Sequence, residues 1–132
     1  MVKKSAKEKM SAIAMTDHGN MMGAFKFVSA IMDYNKSLAK ANQVLIENGE
    51  EPKDKEIKPI VGCEFFMCEN HLDKSRKDNG YQIVLLAKNK KGYHNLAKLA
   101  SAASINGFYY VPRIDKELIM QYKEDLIALT GN

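Results

Sequence analysis

The chain holds 132 residues, 45% of them apolar, which suits one ordinary domain with a core of its own. A net charge of +4 rests on eighteen lysines and two arginines against 16 acidic residues, and so few guanidinium groups argue against direct reading of base edges. No apolar run approaches the roughly 20 residues of a membrane span. The N-terminus has no secretory pattern, and Cys63 and Cys68 lack a CxxC spacing, so a cytoplasmic chain with reduced core thiols is expected.

Residues 2–10, VKKSAKEKM, have helix-forming composition and run into SAIAMT, an apolar run that reads as a buried strand. After the turn DHGN, Phe27, Ile31, Tyr34, Leu38, Ala41 and Leu45 recur at steps of three and four, the face of a long amphipathic helix. ENGEEPKDKE breaks that pattern as a surface loop, and KPIVGCEFFM follows as a second strand. CENHLDKSRKDNG is polar, aperiodic and ends in Asn-Gly, which predicts an exposed connection. YQIVLLA is a third strand. Asn89 then caps a helix with Tyr93, Leu96, Ala97, Ala100 and Ala103 inward. Asp115 is the expected N-cap of a further helix ending near Lys123, and LIALT is a last strand. Alternating strands and helices, the strands apolar on both faces, predict an α/β fold with a mainly parallel sheet and covering helices.

Ligands in such folds collect at the carboxyl ends of strands. Asp17 and His18 follow directly on the first apolar run, and a carboxylate with an imidazole is a sound ligand pair for zinc or manganese. A helix-capping aspartate beside a partly exposed histidine is the plainer alternative. Glu64 places a charge inside an apolar strand, where it needs a cation or a lysine partner. If Cys63 and Phe65 share one face, Glu64 points to the other, and a pocket at the strand ends would gather Asp17, His18 and Glu64. His71 and His94 sit among Lys and Asn and read as surface residues, or as residues behind a ligand. Arg113 is expected to pair with Asp115 or to reach a phosphate. No Walker, Rossmann or GxSxG pattern is present.

In order along the chain, MSAIAMTDHGNMMGAFKF, KPIVGCEFFM, YQIVLLAKNKKGYHNLAKLAS, GFYYVPRIDKELI and LIALTGN resemble blocks of the PHP (polymerase and histidinol phosphatase) domain of bacterial replicative DNA polymerase III alpha subunits. The resemblance covers nearly the whole sequence. It implies a partial PHP-type distorted (β/α)7 barrel with a metal cluster at the carboxyl ends of its strands. In relatives that keep zinc or manganese there, metal-bound hydroxide hydrolyses phosphoesters, in some polymerases as a 3′ to 5′ proofreading exonuclease. Matched residue by residue, His18 falls on a metal ligand, Asp17 on a ligand or its neighbour, and Glu64 on a bridging carboxylate.

Three departures from the family pattern weaken that site. The family's opening His-x-His strand is missing before the first helix, Gln82 stands where metal-binding members carry His, and Asn132 stands where many carry Cys. The resemblance therefore implies one partial PHP domain over residues 1–132, lacking the first strand and the last part of the barrel. It would have a degenerate metal site, no bound cofactor and no catalytic residue of its own. Its expected partners are the remainder of a polymerase alpha chain, a proofreading exonuclease subunit, and DNA through the full-length protein, with no membrane. Exposed strand edges predict self-association. The competing reading is an active metal-dependent phosphoesterase or proofreading exonuclease.

Overall fold

A computed structural model describes residues 1–130. In chain order the elements are α1 (Val2–Lys7), β1 (Ala12–His18), α2 (Ala24–Glu47), β2 (Lys58–Met67), β3 (Tyr81–Ala87), α3 (Lys90–Ile105), β4 (Arg113–Ile114), α4 (Lys116–Tyr122) and β5 (Leu126–Thr130). They pack as two units, Met1–Ala14 with Gly23–Ile60, and Met15–Met22 with the chain from Val61 onward.

The first unit is built on α2. Of the predicted face only Phe27 and Ile31 are fully buried, together with Ala24 and Asn35. Tyr34, Leu38 and Leu45 are half-buried and Ala41 is exposed. The helix closes in a Schellman motif: Glu50 N–H donates to Leu45 O (2.8 Å) and Gly49 N–H to Ile46 O (3.0 Å), with Gly49 at φ 76. α1 is shorter than predicted because Lys9 takes the same role at φ 54, with Met10 N–H on Ser5 O. The loop after α2 is tied back by Asn35, whose Nδ2 donates to Ile57 O (2.9 Å) while its Oδ1 accepts Ile57 N–H (3.0 Å).

The second unit holds the core, where Cys63, Phe65, Leu85, Leu96, Leu99, Ala103 and Ile114 are buried together. Each large side chain of this kind contributes about 1.5–3 kcal/mol on burial. α3 and α4 begin where their side chains can cap them: Asn89 Oδ1 accepts Gly92 N–H (3.0 Å), and Asp115 Oδ1 accepts Leu118 N–H (2.9 Å). The buried face of α3 is Gly92, Asn95, Leu96, Leu99, Ala100 and Ala103, so Tyr93 lies outside it, contrary to the periodicity reading.

The sheet runs β1-β2-β3-β5, with β4 also on β2. β2 and β4 are parallel, whereas β3 is antiparallel to both β2 and β5. Direction is thus shared by β2, β4 and β5, and the sheet is mixed and, among the described residues, open. β3 reverses because residues 68–80 contain no helix that could carry a crossover, so β2 and β3 meet as a wide hairpin. Gly80 ends that connection at φ 57, where a Cβ would stand 1.3 Å from Met67 O. No helix among the described residues is long and apolar enough to cross a membrane.

Candidate metal centre

β1 ends at His18, so Asp17 and His18 are its last two residues and not a turn beyond it. The turn itself begins at Gly19, which reaches φ 67 with its Cα side facing Pro112, a conformation that favours glycine. Gly19 N–H donates to Glu64 O (2.7 Å), and Asn20 Nδ2 donates to His18 O (3.1 Å). Asn20 Oδ1 in turn accepts Met22 N–H (3.0 Å). The first of these bonds holds the end of β1 beside β2, and the two made by Asn20 shape the turn.

Cys63 and Phe65 face the core, so Glu64 stands on the opposite face of β2, as the alternation requires. There its Oε2 lies 3.4 Å from His18 Nδ1, the carboxylate side chain being 19% exposed and the imidazole 72%. Asp17 adjoins His18 in the same strand, and strand alternation sends neighbouring side chains to opposite faces. Its charge, like that of Glu64, is felt by Cys63. Burial above all pushes the Cys63 thiol up to about 12, against the lowering effect of backbone bonding at Gly19 and Asn20. The thiol donates to Asn20 O at 3.3 Å and stays protonated at neutral pH. Both cysteines are free and buried.

In the pairing of β2 with β3, Glu64 lies opposite Val84 and Phe66 opposite Gln82. Gln82 therefore shares the face of Glu64, one step along it. A zinc-type centre takes three or four imidazole, thiolate or carboxylate ligands. What converges here is one imidazole and one carboxylate, with an amide further along the face. Among the described residues no group of three His, Cys, Asp or Glu side chains is placed to hold a metal ion. The donor set present does not fit such a centre. Asn132 lies outside the described residues.

The polar constellation that the sequence reading missed is elsewhere in this unit. His71, read as a surface residue or one behind a ligand, is buried, and its Nδ1 donates to Asp115 Oδ2 at 2.5 Å. Burial alone would raise the Asp115 carboxyl, but the backbone N–H groups of His71 and Leu118 and the His71 ring outweigh it and hold it below its ordinary 3.8. Arg113 takes neither of the expected roles. Its fully buried guanidinium donates to the carbonyls of Gly107 (2.9 Å), Asp78 (3.0 Å), His71 (3.2 Å) and Asp73 (2.9 Å). The one available signal was an arginine inside the otherwise apolar YYVPRI. His94 is exposed, as expected.

The family model described as "PHP domain" matches residues 1–132. The chain is 39% identical over 135 residues to the DNA polymerase III subunit alpha of Borreliella burgdorferi, covering 99% of this chain and 10% of that one. It is 40% identical over 125 residues to the subunit of the same name in Thermus aquaticus (91% and 8%), and 37% identical over 140 residues to that of Aquifex aeolicus (99% and 10%). The chain thus spans about a tenth of the length of these relatives.

Proposed function

The chain belongs to the PHP domain family, and from that premise we propose that it is part of the PHP domain of a replicative DNA polymerase III alpha subunit, with a structural or partner-binding role and a degenerate metal site. The names of its relatives support the replication setting. The observation that carries the structural role is Gln82, a neutral amide on the same sheet face as Glu64. An amide is a poor substitute for imidazole on zinc or manganese.

On this reading the open sheet is closed into a barrel by further strands of a longer polymerase chain, which also performs nucleotide transfer. The domain works in the cytoplasm, and meets DNA through the whole polymerase. A proofreading exonuclease subunit is the separate partner it would seat. The pairing of His18 with Glu64 is the observation that favours an active phosphoesterase instead, because those two groups do converge. Metal content by mass spectrometry after dialysis separates the two readings. The structural role expects less than one ion per chain, from zinc- and manganese-supplemented growth alike. Two or three tightly held ions per chain, with metal-dependent release of nucleotides from an oligonucleotide, would overturn it.

A further inference from the structure

The outer side of α3 carries an electrostatic arrangement that the helix itself does not favour. Lys90 and Lys91 occupy its first turn, and no acidic residue stands there to balance them. A helix N-terminus carries partial positive charge, so both ammonium groups sit at the unfavourable end of the dipole. Lys91 is relieved by Glu124, 2.8 Å away, whereas Lys90 has no carboxylate among the ion pairs of the described residues. His94 and Lys98 continue from Lys90 at four-residue intervals, one positive or imidazole group about every 6 Å along one side of the helix.

This stripe borders a broad, shallow groove of about 900 Å³ that is widely open to solvent, and Tyr122, at the end of α4, lines its other side. Lys98 Nζ lies over the Tyr122 ring, 5.9 Å from its centre, and the half-buried ring also packs against the core, so only part of it is open to a ligand. Ser101 continues the α3 wall beyond Lys98. An array of ammonium groups along a groove with an aromatic ring beside it has the chemistry that holds a single nucleic-acid strand: phosphates on the lysines, a base on the ring. An acidic protein segment would use the charges alone, whereas a base can also stack on the open part of the ring. None of Asp17, His18 and Glu64 lines this groove, so the assignment stands apart from the metal question.

We propose that the groove between α3 and α4 is a binding site for single-stranded nucleic acid, with Lys90 and Lys98 on the phosphates and Tyr122 under a base. Fluorescence anisotropy of a labelled thymidine dodecamer, titrated with the chain at several salt concentrations, tests it. Lys90→Glu with Lys98→Glu is expected to weaken binding at least tenfold and to flatten the dependence of log K on log salt by about 1.4, which is 0.7 per lost phosphate contact. Tyr122→Leu is expected to weaken binding severalfold with the salt slope unchanged. Lys3→Glu with Lys4→Glu on α1 makes the same change in net charge and is expected to do far less.

Equal weakening by the α1 pair would reduce the effect to net charge and overturn the site. Loss with the α3 pair but none with Tyr122→Leu, together with displacement of the oligonucleotide by polyglutamate, would reassign the groove to an acidic protein. All three variants change exposed or half-exposed positions, and Lys90→Glu improves the helix dipole. The thermal midpoint of the α3 pair is therefore expected to hold or rise, which checks that binding is lost without unfolding.

Discussion

The carboxylate of Asp115 takes two hydrogen bonds from a single residue, His71, one from its ring Nδ1 (2.5 Å) and one from its backbone N–H (3.0 Å). With its other oxygen it caps α4. One buried side chain therefore fastens the connection between β2 and β3 to the start of a helix far along the chain, while Arg113 draws the carbonyls of that same connection inward.

Asp115→Ala is expected to destabilise the fold by about 3 kcal/mol, the usual result of breaking a buried pair and leaving its partner unmatched. Urea unfolding followed by circular dichroism measures it, and an unchanged midpoint would show that water replaces the carboxylate without loss. The pH dependence has a definite sign. Asp115 ionises below its ordinary 3.8 in the folded state, so the stability it adds is present above that value and lost as pH falls below it. Asp115→Asn should flatten stability against pH below about 4 relative to the unaltered chain.

Asn35 satisfies both backbone groups of Ile57, itself buried. Asn35→Leu keeps the branched shape of the side chain but leaves a buried N–H and C=O without partners, each costing about 1–3 kcal/mol. A loss near 2 kcal/mol or more is expected in denaturant unfolding. Asn35→Asp keeps the acceptor for Ile57 N–H but sets a buried carboxylate oxygen against Ile57 O, so at neutral pH it is expected to cost at least as much.

Cys63 should resist iodoacetamide at pH 8 in the native chain and react once urea exposes it. Burial holds its thiol at about 12, so almost no thiolate is present, and the side chain is closed to solvent. Rapid native alkylation, read by mass spectrometry of the peptide, would contradict the burial described. Because the folded value lies above the ordinary 9.0, the thiol's contribution is intact below pH 9 and is lost as pH rises from there toward 12. Cys63→Ala should lessen that alkaline loss.

β5 pairs with β3 alone among the described residues, and Ile127 and Leu129 are 45% and 47% exposed. An open edge beside half-exposed apolar side chains recruits further strands. Light scattering on the chain should show dimers or larger species that diminish with Leu129→Lys. A monomer at high concentration would mean that this edge is already protected.

Much of this architecture is written in local patterns. The period of α2, the apolar strands and the caps at Asn89 and Asp115 follow from residue type and spacing, because each depends on neighbours within a turn or two. The alternation around Cys63, Glu64 and Phe65 likewise places the carboxylate on the face away from the core. What local pattern could not supply was pairing at a distance. The polar composition of residues 68–80 announced a surface connection, yet it conceals a buried histidine and the carbonyls that receive Arg113, since only the folded loop brings those oxygens to one point. The alternation of strands and helices predicted a mainly parallel sheet, and β3 departs from it because no crossover helix precedes it. Local pattern accounts for the elements and for most of the side chains each turns to the core. The tertiary structure decided which of them meet: His18 with Glu64, His71 with Asp115, and Arg113 with four carbonyls. The reason is that hydrogen bonding and burial act on neighbours in space, and strand pairing, not spacing along the chain, makes those neighbours.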